Sequence, residues 1–267
     1  MEMKHLVSPK SKLNKLYTGT LWAEGPVWKN NCLIWSDVRK NTMYVYNPLT
    51  SKTEVFRDPS DYNNGNALDN EGRLIRCQHG KRRVVREESD QSITIIADRF
   101  KNNKFNSPND VAVKSDGSIW FTDPDYGILS NNEGYKSEGE QGGNFVFKVS
   151  DSGEIEKVLT NYDKPNGLVF SPNEDLLYIA DSGAPHNIKR YDVDSSGNLS
   201  NEIVFCDLRN GSPDGMTVDI HGNLYVCDVK KSKIRLYSDS SKYIGAIDIP
   251  ERVANCTFGG ENNSQLF

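Results

Sequence analysis

Six oxygen-bearing side chains stand at the same point of a repeated motif: Glu24, Asn66, Asn109, Asn166, Asp214 and Asn255, at spacings of 42, 43, 57, 48 and 41 residues. None is a histidine or a cysteine. Carboxylate and amide oxygens brought to one place suit a hard divalent cation, Ca²⁺ before Mg²⁺ or Mn²⁺, more than a thiolate-bound metal. Zinc held by carboxylates and water is a less natural fit. Asn166 and Asp214 each precede a glycine, and turn chemistry alone would account for them. Glu24 resists that explanation, because glutamate is a poor turn former.

Such residues act together only if the elements carrying them converge. Each heads a copy of one pattern, in which a short polar motif opens an apolar strand, a turn follows, and a second strand is rich in aromatic and β-branched residues. The copies read EGPVWKNNCLIWSD, NALDNEGRLIRCQH, NDVAVKSDGSIWFTD, NGLVFSPNEDLLYIAD, DGMTVDIHGNLYVCD and NCTFGGENNSQLF. Glu71-Gly72, Asp116-Gly117 and His221-Gly222 fall where the hairpin needs positive φ. A third amphipathic strand follows in most copies, as in FVFKVS and IRLYSD. A repeat of 41 to 57 residues with about four strands matches a propeller blade. Six copies predict an all-β, six-bladed β-propeller as a single domain over 13–267, after an N-terminal extension at 1–12. The blades start near the six residues named above. First strands line the central channel, so those six residues form a ring at one mouth.

Composition agrees with many short strands. The 267 residues include 27 asparagines, 22 aspartates and 21 glycines, too many turn formers for a helical bundle. Hydrophobic residues at 36% and aromatics at 10% supply a core and argue against disorder. A net charge of −5, with no long basic block, makes nucleic acid a poor partner. Mean hydropathy is −0.65, and no apolar run approaches the length of a membrane span. The opening MEMKHLVSPKSK lacks the apolar core of a secretory signal. Five scattered cysteines without a CxxC spacing read as reduced core thiols. That points to the cytoplasm, or to the mature form of an exported protein.

With these motifs in view, the chain closely resembles the family of senescence marker protein, gluconolactonase and luciferin-regenerating enzyme, in its gluconolactonase branch. The resemblance runs from about Leu16 onward. It rests on EGPVW, CQHG, SPNDVAVKSDGSIWFTDPDYG, PNGLVFSPNEDLLYIADSG and PDGMTVD. It implies a six-bladed propeller, one divalent cation at the channel mouth, and hydrolysis of sugar lactones. The metal ligands it implies are Glu24, Asn166 and Asp214. Asn109 matches an asparagine that binds substrate or a metal-bound water. Some relatives carry an arginine two positions earlier, where this chain has Ser107, so that arginine's contacts do not transfer.

Chemistry at such a site needs a polarised carbonyl and an activated water. A nearby carboxylate takes the water proton, and Asp214 is the expected base. Asn66, His79 and Tyr126 are further substrate-contact candidates, although a structural histidine is the commoner outcome at His79. Asp123, Asp181 and Asp228 recur at matching strand ends and read as structural hydrogen-bond acceptors. The longest repeat carries an insertion, Tyr126 to Gly143, on the ring's face, where Tyr126, Tyr135, Glu133, Glu138 and Glu140 could meet a polyhydroxylated substrate. The expected activity is lactone hydrolysis on a small-molecule substrate such as gluconolactone. Alternatives at the same metal are sugar-acid dehydration or hydrolysis of a non-sugar lactone, and a non-enzymatic binding propeller is a third reading. No GxSxG, HExxH, P-loop or GxGxxG motif competes. The sixth copy stops inside its second strand, so the reading expects a truncated sixth blade, with Leu16–Trp22 suited to be its outer strand.

Overall fold

The structure, a computed structural model, describes residues 3–267. Five antiparallel sheets of four strands follow one another along the chain, each ordered as its strands occur in sequence. Blade one comprises Ala23–Lys29, Cys32–Asp37, Thr42–Asn47 and Lys52–Arg57. Blade two comprises Asn63–Leu68, Leu74–Gln78, Arg83–Glu87 and Ile93–Ala97. Blade three comprises Val111–Val113, Ile119–Asp123, Phe145–Val149 and Ile155–Leu159. Blade four comprises Pro165–Phe170, Leu176–Asp181, Asn187–Val193 and Leu199–Asp207. Blade five comprises Pro213–Val218, Leu224–Asp228, Lys233–Tyr237 and Tyr243–Asp248. The fold is an all-β propeller. The hairpin glycines Gly72, Gly117 and Gly222 take the positive φ their turns require.

The blade count departs from the expected six. Where the sixth copy lies, the chain forms only a two-stranded ribbon, Phe258–Gly259 with Gln265–Leu266. Leu16–Trp22 is not a strand. Instead Tyr17 packs against Trp35 and Tyr44 of blade one, with ring centroids 5.8 and 5.1 Å apart. Outer strands form only where a third strand offers its edge, and the ribbon has none. The ribbon still reaches blade one, because Phe267 stacks on Trp28 at 5.2 Å.

Second strands are buried on both faces, which is why LIRCQ, IWFTD and LYVCD are buried throughout. The core is a series of interfaces between neighbouring blades. Phe105, Val111, Phe121 and Phe147 pack with Ile75, Cys77 and Val84, and Met216, Leu224 and Val226 pack with Tyr178, Ala180 and Ile188. All five cysteines are free thiols, and Cys77, Cys206, Cys227 and Cys256 are buried. No helix among the described residues is long and apolar enough to cross a membrane.

The strand-end aspartates hold the connections between blades. Asp123 accepts the backbone N–H groups of Asn106 and Ser107, both at 2.8 Å. Asp181 accepts those of Asp163 and Lys164, both at 2.9 Å. Asp228 accepts the Ser212 N–H at 3.0 Å and the Arg235 guanidinium. Asp37, which the repeat did not single out, accepts Leu21 and Trp22 in the same way. Each clamp fixes the chain just before it turns into the channel.

Candidate active site

Strand register determines which residues are equivalent at the mouth. Ala23 pairs with Asp37, Asn63 with Gln78, Pro165 with Asp181 and Pro213 with Asp228. The residues that follow, Glu24, Asn64, Asn166 and Asp214, therefore hold one position in four blades. Asn109 joins them in blade three, donating its N–H to Thr122 and accepting the Gly65 N–H at 2.7 Å. In the segment leading into the ribbon, Ala254 accepts the Gly215 N–H at 2.7 Å. Ala254 therefore holds the position equivalent to Asn109, and Asn255, expected in the ring, stands one residue later, equivalent to Asp110.

Asn66 is thus displaced from the ring, and its place belongs to Asn64. Its amide is spent inside the wall between blades one and two. Nδ2 donates to the Gly25 carbonyl at 2.7 Å and to Ser36 Oγ at 3.0 Å, and Oδ1 accepts from Asn63 at 2.9 Å. No oxygen is left to face a ligand.

Three buried carboxylates share the site: Glu24, Asp110 and Asp214, none more than 8% exposed. Burial, then the neighbouring charge of Asp110, pushes the Glu24 pKa up to about 8. Burial and the charges of Glu24 and Asp110 raise Asp214 well above the usual carboxylate range. Burial pushes Asp110 up to about 7. Hydrogen bonds oppose these shifts. Gly25 N–H donates to Glu24 Oε2 at 3.1 Å, Val111 N–H to Asp110 at 3.0 Å, and Asn166 hydrogen-bonds Asp214. Asn255 ties the group together. Its Oδ1 accepts the Cys256 N–H at 2.8 Å, which turns Nδ2 toward the carboxylates; it donates to Glu24 Oε2 at 3.2 Å and hydrogen-bonds Asp110.

Sequence reasoning missed Asp110. Glu24, Asn64, Asn166 and Asp214 are each followed by glycine, whereas Asn109 is followed by Asp110. Among the five four-stranded blades, an acid in a slot otherwise held by glycine was the available signal.

The donor set fits a hard cation. No three of the described His, Cys, Asp and Glu side chains form a metal site by themselves. A cation here would take the Asn166 amide oxygen with Glu24 and Asp214, and its charge would relieve carboxylates that burial now holds against ionising.

The insertion runs between Asp123 and Phe145 with a single helical turn at Tyr126–Leu129. Gly127 lies so close to the wall that an added Cβ would sit 2.7 Å from the Cβ atoms of both His79 and Ser107. Ser107 Oγ accepts the Gly127 N–H at 2.9 Å and donates to the Pro124 carbonyl at 2.6 Å. An arginine at 107 would collide with the insertion.

His79 is fully buried, with both ring nitrogens engaged. Nδ1 bonds to the Glu133 carbonyl at 3.0 Å, and because a carbonyl only accepts, Nδ1 carries the proton. Nε2 then accepts from Asn64 Nδ2 at 3.3 Å. Burial lowers its pKa to about 4, so the ring is neutral and serves to tether the insertion, with no free nitrogen for substrate. Tyr126 is closer to the chemistry. Its hydroxyl hydrogen-bonds Ser182, and burial followed by the Asp214 charge raises its pKa. Glu140 is spent on Arg82 and the Lys104 N–H, at 3.0 and 2.9 Å. Glu138 is exposed, and Tyr135 packs edge-on against Tyr62 at 5.2 Å.

Residues 22–267 match the family described as SMP-30/Gluconolactonase/LRE-like region. The chain is 30% identical to a gluconolactonase from Zymomonas mobilis, over 92% of this chain and 75% of the relative. It is 26% identical to a pentonolactonase from Haloferax volcanii, over 91% of this chain and 79% of that one. The solved structure of a gluconolactonase from Xanthomonas campestris superposes with a TM-score of 0.88 at 30% identity, covering 94% of this chain and 84% of the other.

Proposed function

The chain belongs to the SMP-30/Gluconolactonase/LRE-like family, and from that premise we propose that it is a metal-dependent lactonase opening aldonolactones such as gluconolactone. The observation carrying the reading is the trio of buried carboxylates at the channel mouth, whose charges burial opposes. Relatives named gluconolactonase and pentonolactonase support a sugar lactone as the substrate class. Glu24, Asn166 and Asp214 would hold one divalent cation, Ca²⁺ first among hard ions, with Mg²⁺, Mn²⁺ or Zn²⁺ as substitutes. When bound, such an ion supplies Lewis acidity toward the lactone carbonyl and toward water.

The protein's own groups do the rest. Asp214 receives the proton of the attacking water. Asn109, at the ring position beside Asp110, orients substrate or water, and the Tyr126 hydroxyl bounds the site next to Asp214. Asn255 holds one Glu24 oxygen in place. The insertion limits access of bulk water. We infer further that the ribbon is the inner part of a sixth blade, since the segment leading into it brings Asn255 to Glu24 and Phe267 at its end stacks on Trp28 of blade one. Free cysteines suit a reducing compartment, and the cytoplasm is the proposed location.

A panel of sugar and simple lactones, followed by proton release with and without a chelator, tests this. Turnover of a sugar lactone that chelation abolishes and Ca²⁺ restores is the expected result. Turnover indifferent to chelator would remove the metal, and no turnover of any lactone would remove the activity.

A further inference from the structure

Three ion pairs staple the insertion to neighbouring blades, and they are not alike. Lys164 pairs with Asp125 near its start. Arg82 pairs with Glu140 near its end, where both Glu140 oxygens are consumed. The middle staple is Arg39 with Glu133. Arg39 donates Nε at 2.9 Å and Nη2 at 2.7 Å, both to the same oxygen, Oε1. Oε2 is left to other partners, on a side chain 19% exposed.

Both members of this staple are held from the channel wall. The Arg39 guanidinium lies 4.8 Å over the ring of Trp22, two residues before Glu24. The Glu133 backbone is fixed by His79 Nδ1–H at 3.0 Å, and His79 is in turn bonded to the ring residue Asn64. Gly134 packs on Gly127, which rests on His79 and Ser107. The Glu133 charge is felt at both Glu24 and Asp214. A rim carboxylate is therefore anchored beside the mouth, with Arg39 engaging Oε1 alone on a side chain that keeps 19% of its surface exposed.

An ionised carboxylate is a hydrogen-bond acceptor only. It has nothing to offer an unsubstituted lactone ring and much to offer a ring bearing hydroxyls. Arg39 offsets its charge, so it does not compete with the site below for the cation. We propose that Glu133, positioned by Arg39, is the specificity-determining contact that selects polyhydroxylated lactones by accepting their ring hydroxyls. The inference rests on the lactonase reading and names the part of the substrate that reading leaves unassigned.

The test compares wild type, Glu133→Ala, Glu133→Gln and Arg39→Ala on glucono-δ-lactone and on δ-valerolactone. Binding of D-glucose, a neutral cyclic polyol without the lactone carbonyl, is measured in parallel by calorimetry. Loss of a hydrogen bond to a charged group corresponds to about 10- to 100-fold. Glu133→Ala should raise KM for gluconolactone by that factor with kcat within about twofold, leave δ-valerolactone unchanged, and weaken glucose binding equally. Arg39→Ala should act in the same direction by a smaller factor. Equal losses on both lactones, or unchanged gluconolactone KM and glucose binding, would overturn the proposal. Should wild type open neither lactone, the lactonase reading falls, and glucose binding alone decides the role of Glu133.

Discussion

The charges at the mouth oppose one another, and this divides the roles of single residues between stability and function. Glu24 is buried beside Asp110 and Asp214, an arrangement that costs folding energy unless a cation offsets it. Glu24→Gln should therefore raise the melting temperature of chelated protein at pH 8 by a few degrees while weakening Ca²⁺ binding at least about 100-fold. Differential scanning calorimetry with chelator and a calorimetric Ca²⁺ titration check the two halves. Asp214→Asn should abolish turnover, and a wild-type rate would exclude the base role. His79 behaves differently, since its ring is neutral and bonded on both sides. His79→Ala should loosen the insertion and slow catalysis without altering cation affinity.

Among elements, the fully buried strand-end aspartates carry much of the fold. Asp181 accepts two backbone N–H groups from the segment entering blade four, and a third from Gly183 at 3.0 Å. Asp181→Ala would orphan these donors and should cost about 3 kcal/mol, read as a lower urea midpoint with an unchanged m-value. That role was legible in the sequence, because repetition at the matching strand end of three blades implied architecture. The ring was legible in four of its blades, where a polar residue opens an apolar strand. It was misread in the sixth copy, where Ala254 and not Asn255 takes the ring position, and in blade two, because Asn63, Asn64 and Asn66 surround Gly65 and sequence spacing cannot choose among them. Hydrogen-bond register chooses Asn64. Asp110 was hidden by its neighbour Asn109, which already satisfied the motif. Contacts made by the insertion were illegible for another reason: nothing periodic governs a loop, and Glu133 differs from Glu138 only in what Arg39 and His79 reach.

At the scale of the whole molecule, the propeller places its least favourable electrostatics on its axis. Glu24 at about 8 and Asp110 at about 7 lie above their unfolded values near 4.5 and 3.8. The folded state therefore holds these protons more tightly than the unfolded chain does. Their contribution to stability is complete below about pH 4 and is lost as pH rises through 7 to 8. Chelated protein should melt at progressively lower temperature between pH 5 and 8, and saturating Ca²⁺ should remove most of that slope. A melting temperature of chelated protein that rises over this range would contradict the cluster.

One bond on that axis has a temporal meaning. Asn255 reaches Glu24 across 231 residues of chain. A ribosome releases Glu24 231 residues before Asn255. Until Asn255 emerges, the first carboxylate waits without the amide that will hold it. On the proposed metal-dependent reading, cation capture should wait for residue 255, and stalled nascent chains lacking it should remain indifferent to Ca²⁺.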